Sequence, residues 1–125
     1  MTGRSILVID DEVVWHKLLK RFFGNFGYRV YAAANCAKGI KLAGLHKPDC
    51  IILDFHLTDG DAVSVCSVLR KNGDSGKIPV IIFSSDPAAE TEAYSRCGAE
   101  NFVLKGAASL AALRKAVEVI LPPTA

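Results

Sequence analysis

The segment Cys50-Ile51-Ile52-Leu53-Asp54 decides how this chain reads: four apolar residues in succession and then, abruptly, a carboxylate. A strand with one wet face alternates apolar and polar residues, whereas a strand covered by helices on both faces is an unbroken apolar run. Val80-Ile81-Ile82-Phe83 repeats the pattern and ends on Ser84-Ser85, and Ile6-Leu7-Val8-Ile9 repeats it again and ends on Asp10-Asp11-Glu12. The predicted strands are Ser5–Ile9, Arg29–Ala33, Cys50–Leu53, Val80–Phe83 and Asn101–Leu104, separated by helical patterns. This alternation predicts an α/β fold around a parallel sheet.

The helices follow from period and punctuation. Val14, Leu18, Leu19, Phe22 and Phe26 recur at helical spacing, and Gly27 stands where a left-handed stop is wanted. Asn35 before Cys36–Leu45, Asp86 with Pro87 before Ala88–Cys97, and Ser109 before Leu110–Ile120 each read as a capped helix start. A further helix is expected from Ala62 to Lys71, closed by the loop Asn72-Gly73-Asp74-Ser75-Gly76.

Composition narrows the class. The chain has 125 residues, half of them hydrophobic, which suits one domain with a real core. Its 15 basic and 13 acidic residues are dispersed, so no basic arm argues for direct nucleic-acid binding. Cys36, Cys50, Cys66 and Cys97 lack metal-finger spacing and read as buried thiols of a reducing cytoplasm. The first apolar run is too short for a signal peptide or a membrane span, so a soluble cytoplasmic protein is expected. The tail Leu121-Pro122-Pro123-Thr124-Ala125 reads either as a natural end or as the start of a linker to an output domain.

In parallel sheets of this kind ligands bind beyond the carboxyl ends of the strands. The residues standing there are Asp10-Asp11-Glu12, Asp54, Ser84-Ser85 and Lys105. Neighbouring carboxylates repel by about 4 kcal/mol at 4 Å near a surface, so either a cation neutralises them or some keep protons. Mg²⁺ suits such a site, because it takes a few oxygen ligands and keeps several waters. Asp11 and Asp54 are the first choices as ligands. Lys105 and Ser84 would supply a charge and a hydroxyl to a phosphoryl group, and Asp54 would attack phosphorus in line to give an acyl phosphate.

The segments Ile6–Glu12, Ile52–Gly60, Pro79–Ser85 and Gly98–Lys105 together resemble response-regulator receiver domains, in order and in spacing, over essentially the whole chain. The resemblance implies a single receiver over 1–125, a flavodoxin-like (βα)5 fold with a doubly wound sheet of strand order 2-1-3-4-5. It implies that Asp54 accepts a phosphoryl group from a histidine kinase or phosphotransfer protein. Asp10 and Asp11 would form the acidic pocket, and the backbone carbonyl of His56 would complete the Mg²⁺ ligands. Ser84 and Phe102 would be the switch pair and Lys105 the ion-pair partner of the phosphate. His56 and Asp86 stand where the family tunes how long the phosphoryl group lasts. A downstream output protein or domain and a phosphorylation-dependent homodimer are further expectations, and the only catalysis expected is self-phosphorylation and autodephosphorylation.

The pattern is broken at Gly106, where many relatives carry a proline that aims the lysine, so the turn after Lys105 is expected to differ. Trp15, four residues after Asp11, reads either as a residue of the pocket rim or as packing on the apolar stripe of its helix, while His16 and His46 are taken as surface residues. Three rivals remain: a phosphorylation-independent docking module, an Asp-nucleophile phosphatase, and a flavin-binding flavodoxin. The phosphatase usually has a second Asp two residues after the nucleophile, where this chain has His56. The flavodoxin reading lacks a phosphate loop after the first strand, where Asp10 and Asp11 would repel a phosphate.

Overall fold

A computed structural model describes residues 3–122, so the end of the Pro-rich tail lies outside the described residues. The elements run β1 (Ser5–Ile9), α1 (Val13–Gly24), β2 (Arg29–Ala33), α2 (Cys36–His46), β3 (Cys50–Leu53), β4 (His56–Leu57), β5 (Gly60–Asp61), α3 (Ala62–Arg70), β6 (Val80–Ser84), α4 (Glu90–Ser95), β7 (Asn101–Leu104) and α5 (Ser109–Ile120). The long strands form one parallel sheet of order β2-β1-β3-β6-β7. This is the expected 2-1-3-4-5 order once the two-residue strands β4 and β5 are set apart.

The unbroken apolar runs are explained by burial on both faces. Alternate residues of each strand enter two cores. Ile6, Val8, Ile52, Ile81 and Phe83 pack with Leu19 and Phe23 of α1 and Leu113 and Val117 of α5. Leu7, Ile9, Leu53 and Ile82 pack with residues of α2 and α3 and with Ala93 of α4. Fully burying an aliphatic side chain stabilises by about 1.5–3 kcal/mol, so a polar residue inside a run would be costly and polar residues collect at its end.

Several expected boundaries shift for local reasons. After α1 the chain turns through Gly27, whose φ of 87° is a conformation that residues with a Cβ rarely adopt. Asn35 caps α2 as expected, accepting from Lys38 N at 2.8 Å. The helix expected over Ala88–Cys97 is instead a 3₁₀ turn at Pro87–Ala89 followed by the six-residue α4. Pro87 opens that turn and Gly98, at φ 62°, reverses the chain just beyond, which leaves room for little more than one α turn. Ser109 is not a cap. It is the first residue of α5, buried at 3% exposure, and its hydroxyl donates 2.7 Å to the Gly106 carbonyl.

The small β4–β5 hairpin was not expected. Asp59 pins it to α2 by accepting from Cys36 N at 2.7 Å and Ala37 N at 3.1 Å, two amides that a helix start leaves unpaired. Those hydrogen bonds hold the Asp59 carboxyl below its ordinary pKa.

Candidate functional site

The sheet register places the expected residues side by side. Ile9 pairs with Leu53, Leu53 with Ile82, and Ser84 with Leu104, so these strands end on nearly one line. The ladder continues one residue past the strands: Asp10 N donates to Ala33 O (3.0 Å), Asp54 N to Ile9 O (2.8 Å) and Lys105 N to Ser84 O (2.9 Å). Backbones pinned in this way leave the three side chains to converge over the sheet edge.

They meet at one ammonium. Lys105 Nζ lies 2.9 Å from Asp10 Oδ2, 2.8 Å from Glu12 Oε1 and 3.3 Å from Asp54 Oδ2, with a side chain only 6% exposed. The rings of Trp15 and Phe83 stand 5.8 Å and 5.5 Å from the same nitrogen, and pack edge to face at 4.8 Å. Trp15 therefore does both things its position allowed, standing at the pocket and packing on the core. Lys105 reaches the site although Gly106 follows it, and every peptide bond among the described residues is trans. The Ser109 hydroxyl, bonded to the Gly106 carbonyl, closes the turn behind the lysine.

Burial sets the electrostatics. Together with the neighbouring Asp10 charge, and against the opposing effect of Lys105, it lifts the Asp54 carboxyl to about 6. Asp10 is raised by burial too, less the hydrogen bond and charge of Lys105. Burial alone would lower Lys105, but its contacts with Glu12, Asp10 and Asp54 outweigh that and raise it. Three carboxylates against one ammonium give a site short of positive charge.

Oxygens of Asp10, Glu12 and Asp54 all lie within 4.8 Å of one another, close enough to share one cation. Asp10 Oδ2 is buried and held by the Lys105 ammonium at 2.9 Å, a cation it shares with Glu12 and Asp54. Three carboxylates gathered on a single ammonium are a donor set that suits a hard divalent cation. Asp11, a first choice as ligand, is exposed on the rim and outside this cluster. Glu12 joins it instead.

The remaining expected residues lie around the mouth. Ser84 is buried at 1% exposure and its Oγ accepts from Asp86 N at 3.1 Å. Asp86 does two things: Oδ1 accepts from Ala88 N (2.9 Å), capping the 3₁₀ turn, and Oδ2 pairs with His56 Nε2 (2.8 Å). The His56 contact and the Ala88 amide hold the Asp86 carboxyl below its ordinary pKa. Phe102 is half-buried on β7, and its backbone N–H donates 3.0 Å to the Tyr94 hydroxyl of α4.

Two residues were not anticipated. Glu12 was read only as part of an acidic triplet. His16 was read as a surface residue, yet it is half-buried and its Nε2 lies 2.5 Å from the Asp10 carbonyl, tying α1 to the loop that carries the acidic group. His46, by contrast, is exposed as expected and stacks on Tyr31.

Known proteins are similar to this chain in sequence and in fold. The family model for the response regulator receiver domain matches residues 6–118. The Regulator of RpoS of Escherichia coli K12 is 29% identical over 99% of this chain and 36% of its own length, so the chain spans about a third of that relative. A two-component response regulator from Clostridium difficile superposes with a TM-score of 0.84 at 26% identity, covering 95% of this chain and 96% of the other. The receiver domain of a sensor histidine kinase from Pseudomonas aeruginosa, described with a magnesium ion coordinated in its active site cleft, superposes at 0.82 with 21% identity, over 97% and 99% of the two chains. With the family match running from the first strand through most of the last helix, and the strand order and sheet-edge carboxylates arrived at independently, the chain belongs to the response regulator receiver domain family.

Proposed function

We propose that this receiver is a phosphorylation switch in which Asp54 is the phosphoryl acceptor and Mg²⁺ the cofactor. The observation that carries the reading is the convergence of Lys105 on Asp10, Glu12 and Asp54, whose oxygens lie within 4.8 Å of one another. Asp10, Glu12 and Asp54 would hold the ion, with Asp11 at the rim and the His56 carbonyl as the further ligands that the family resemblance implies. Bound there, Mg²⁺ supplies charge that holds phosphoryl oxygens against the carboxylates.

The chain's own groups supply the rest. Asp54 presents a carboxylate oxygen to phosphorus, and the new bond is an acyl phosphate. Lys105, freed from its share of Asp54, pairs with a phosphoryl oxygen. Ser84 lies one strand away and would donate its hydroxyl to another, exchanging its contact with Asp86 N for one with the phosphoryl group. Phe102, with its main chain bonded to Tyr94 of α4, would carry the change to the outer face of β7. The His56–Asp86 pair stands over the mouth, and its place there supports a part in setting the phosphoryl lifetime.

The donor would be a histidine kinase or a phosphotransfer protein, and the reader an output domain or protein, in the cytoplasm. The described residues contain no helix long and apolar enough to cross a membrane. To test the acceptor assignment, the phosphorylated chain is reduced with borohydride, which converts an acyl phosphate on Asp to homoserine, and mapped by peptide mass. Homoserine at position 54 is expected, and homoserine elsewhere would overturn it. The same map separates the docking-module reading, in which no residue is converted.

A further inference from the structure

We propose that Cys66 and Cys97 form an oxidant-sensitive dithiol that peroxide closes to a disulfide. Cys66 lies on α3 and Cys97 just after α4, two elements far apart in sequence that the fold brings together. Both thiols are buried, at 2% and 0% exposure, and belong to the same core. They are free, and each is the strongest single influence on the other's protonation. Both also line a cavity of about 100 Å³ walled by Leu69, Arg70, Gly76 and Gly98. That space admits a molecule of water size or slightly larger, which includes hydrogen peroxide and excludes bulky oxidants.

Arg70 sets a positive charge beside the pair. Its guanidinium donates to the Cys97 carbonyl and, at 3.3 Å, to the Arg96 carbonyl, which fixes a cation beside the two sulfurs. The Cys97 thiol, and then the Arg70 charge, hold Cys66 below the ordinary thiol value, while the Cys66 sulfur and then burial hold Cys97 well above it. Cys66 is thus the nucleophile and Cys97 the resolving thiol. Burial pushes Cys36 and Cys50 up to about 12, so both stay protonated and inert and serve as internal controls.

The chemistry balances with one peroxide. The Cys66 thiolate attacks one oxygen, the O–O bond breaks, and the departing hydroxide takes a proton to become water, leaving a sulfenic acid. Cys97 sulfur then displaces the hydroxyl, the S–S bond forms, and the Cys97 proton leaves with that oxygen as a second water. Two sulfurs together lose two electrons and the peroxide gains them; cellular thiols reverse the step by exchange. The bond would tie α3 to the segment behind α4, the helix whose Tyr94 meets Phe102.

The test uses the full chain, exposed to hydrogen peroxide under native conditions, quenched with an alkylating agent and mapped without reduction. A Cys66–Cys97 linked peptide that dithiothreitol dissolves is expected, with Cys36 and Cys50 alkylated in full after unfolding. Cys97→Ala should leave Cys66 trapped as a dimedone-reactive sulfenic acid. Absence of the linked peptide from the wild-type map would overturn the proposal whether or not the variant folds, and so would oxidation that begins at Cys36, Cys50 or Cys97. None of these outcomes depends on Asp54.

Discussion

Replacing Asp54 with Asn should stabilise the metal-free protein at pH 8 and leave it nearly unchanged at pH 4. In the folded chain the Asp54 carboxyl is lifted from 3.8 to about 6, first by burial and then by Asp10. The native state therefore keeps a proton that the unfolded chain has already released, and stability falls as the pH rises between those values. The contribution is fully favourable below 3.8, fades through about 6, and above that the ionised native carboxylate carries the whole cost. The gap of about 6 minus 3.8 is roughly 2 units, which at 1.36 kcal/mol each is ~3 kcal/mol. Asparagine removes that cost, and the figure already includes the attraction of Lys105, which lowers the same pKa. A gain of ~3 kcal/mol is expected at pH 8, equivalent to roughly 9–15 °C in Tm for a domain of this size. Thermal or urea denaturation of both proteins in chelator, at pH 8 and pH 4, measures it. A variant less stable than the parent at pH 8, or an equal gain at both pH values, would refute the reasoning.

Other perturbations test neighbouring parts. Lys105→Met leaves Asp10, Glu12 and Asp54 without their buried partner and should cost about 3 kcal/mol at pH 8, less at pH 5 where protons replace it, as read by urea midpoints. An undiminished midpoint at pH 8 would contradict the shared ion pair. Trp15 is the one tryptophan, and its ring is 5.8 Å from the Lys105 ammonium, so its emission should change saturably as Mg²⁺ is added. A flat titration would speak against cation binding at this site. Ser109→Ala should lower stability by ~1 kcal/mol through the lost 2.7 Å bond to Gly106, and a neutral result would show that the turn behind Lys105 does not rely on it. Asp86→Asn removes the charge facing His56 and should alter the rate at which phosphorylated protein loses its phosphoryl group; an unchanged rate removes the pair from lifetime control.

The fold was legible wherever hydrophobicity alone decides the outcome. Cys50–Leu53 and Val80–Ser84 are buried from end to end, so their composition announces both strand and covering helices. The sheet edge was legible for the same reason: a polar residue placed directly after such a run has left the core, and Asp10, Asp54, Ser84 and Lys105 all stand there.

What escaped was set by direction rather than by composition. Asp11 and Glu12 are equally acidic, and only the course of the backbone into α1 turns Glu12 toward Lys105 and Asp11 toward water. An Asx turn contributes, since Asp10 Oδ1 accepts from Glu12 N at 2.9 Å. His16 showed no ligand spacing because it acts through a backbone carbonyl, which no residue pattern reveals. The short α4 depends on where Gly98 reverses the chain, and the Asp59 hairpin on a contact to α2 more than twenty residues away in sequence.

The most direct test of the account is the intact mass of the chain after treatment with acetyl phosphate. With Mg²⁺ the wild-type protein should gain the mass of one phosphoryl group, with chelator it should gain none, and Asp54→Asn should gain none under either condition. An unaltered wild-type mass in Mg²⁺, or an equal gain by Asp54→Asn, would contradict the assignment of Asp54 as acceptor.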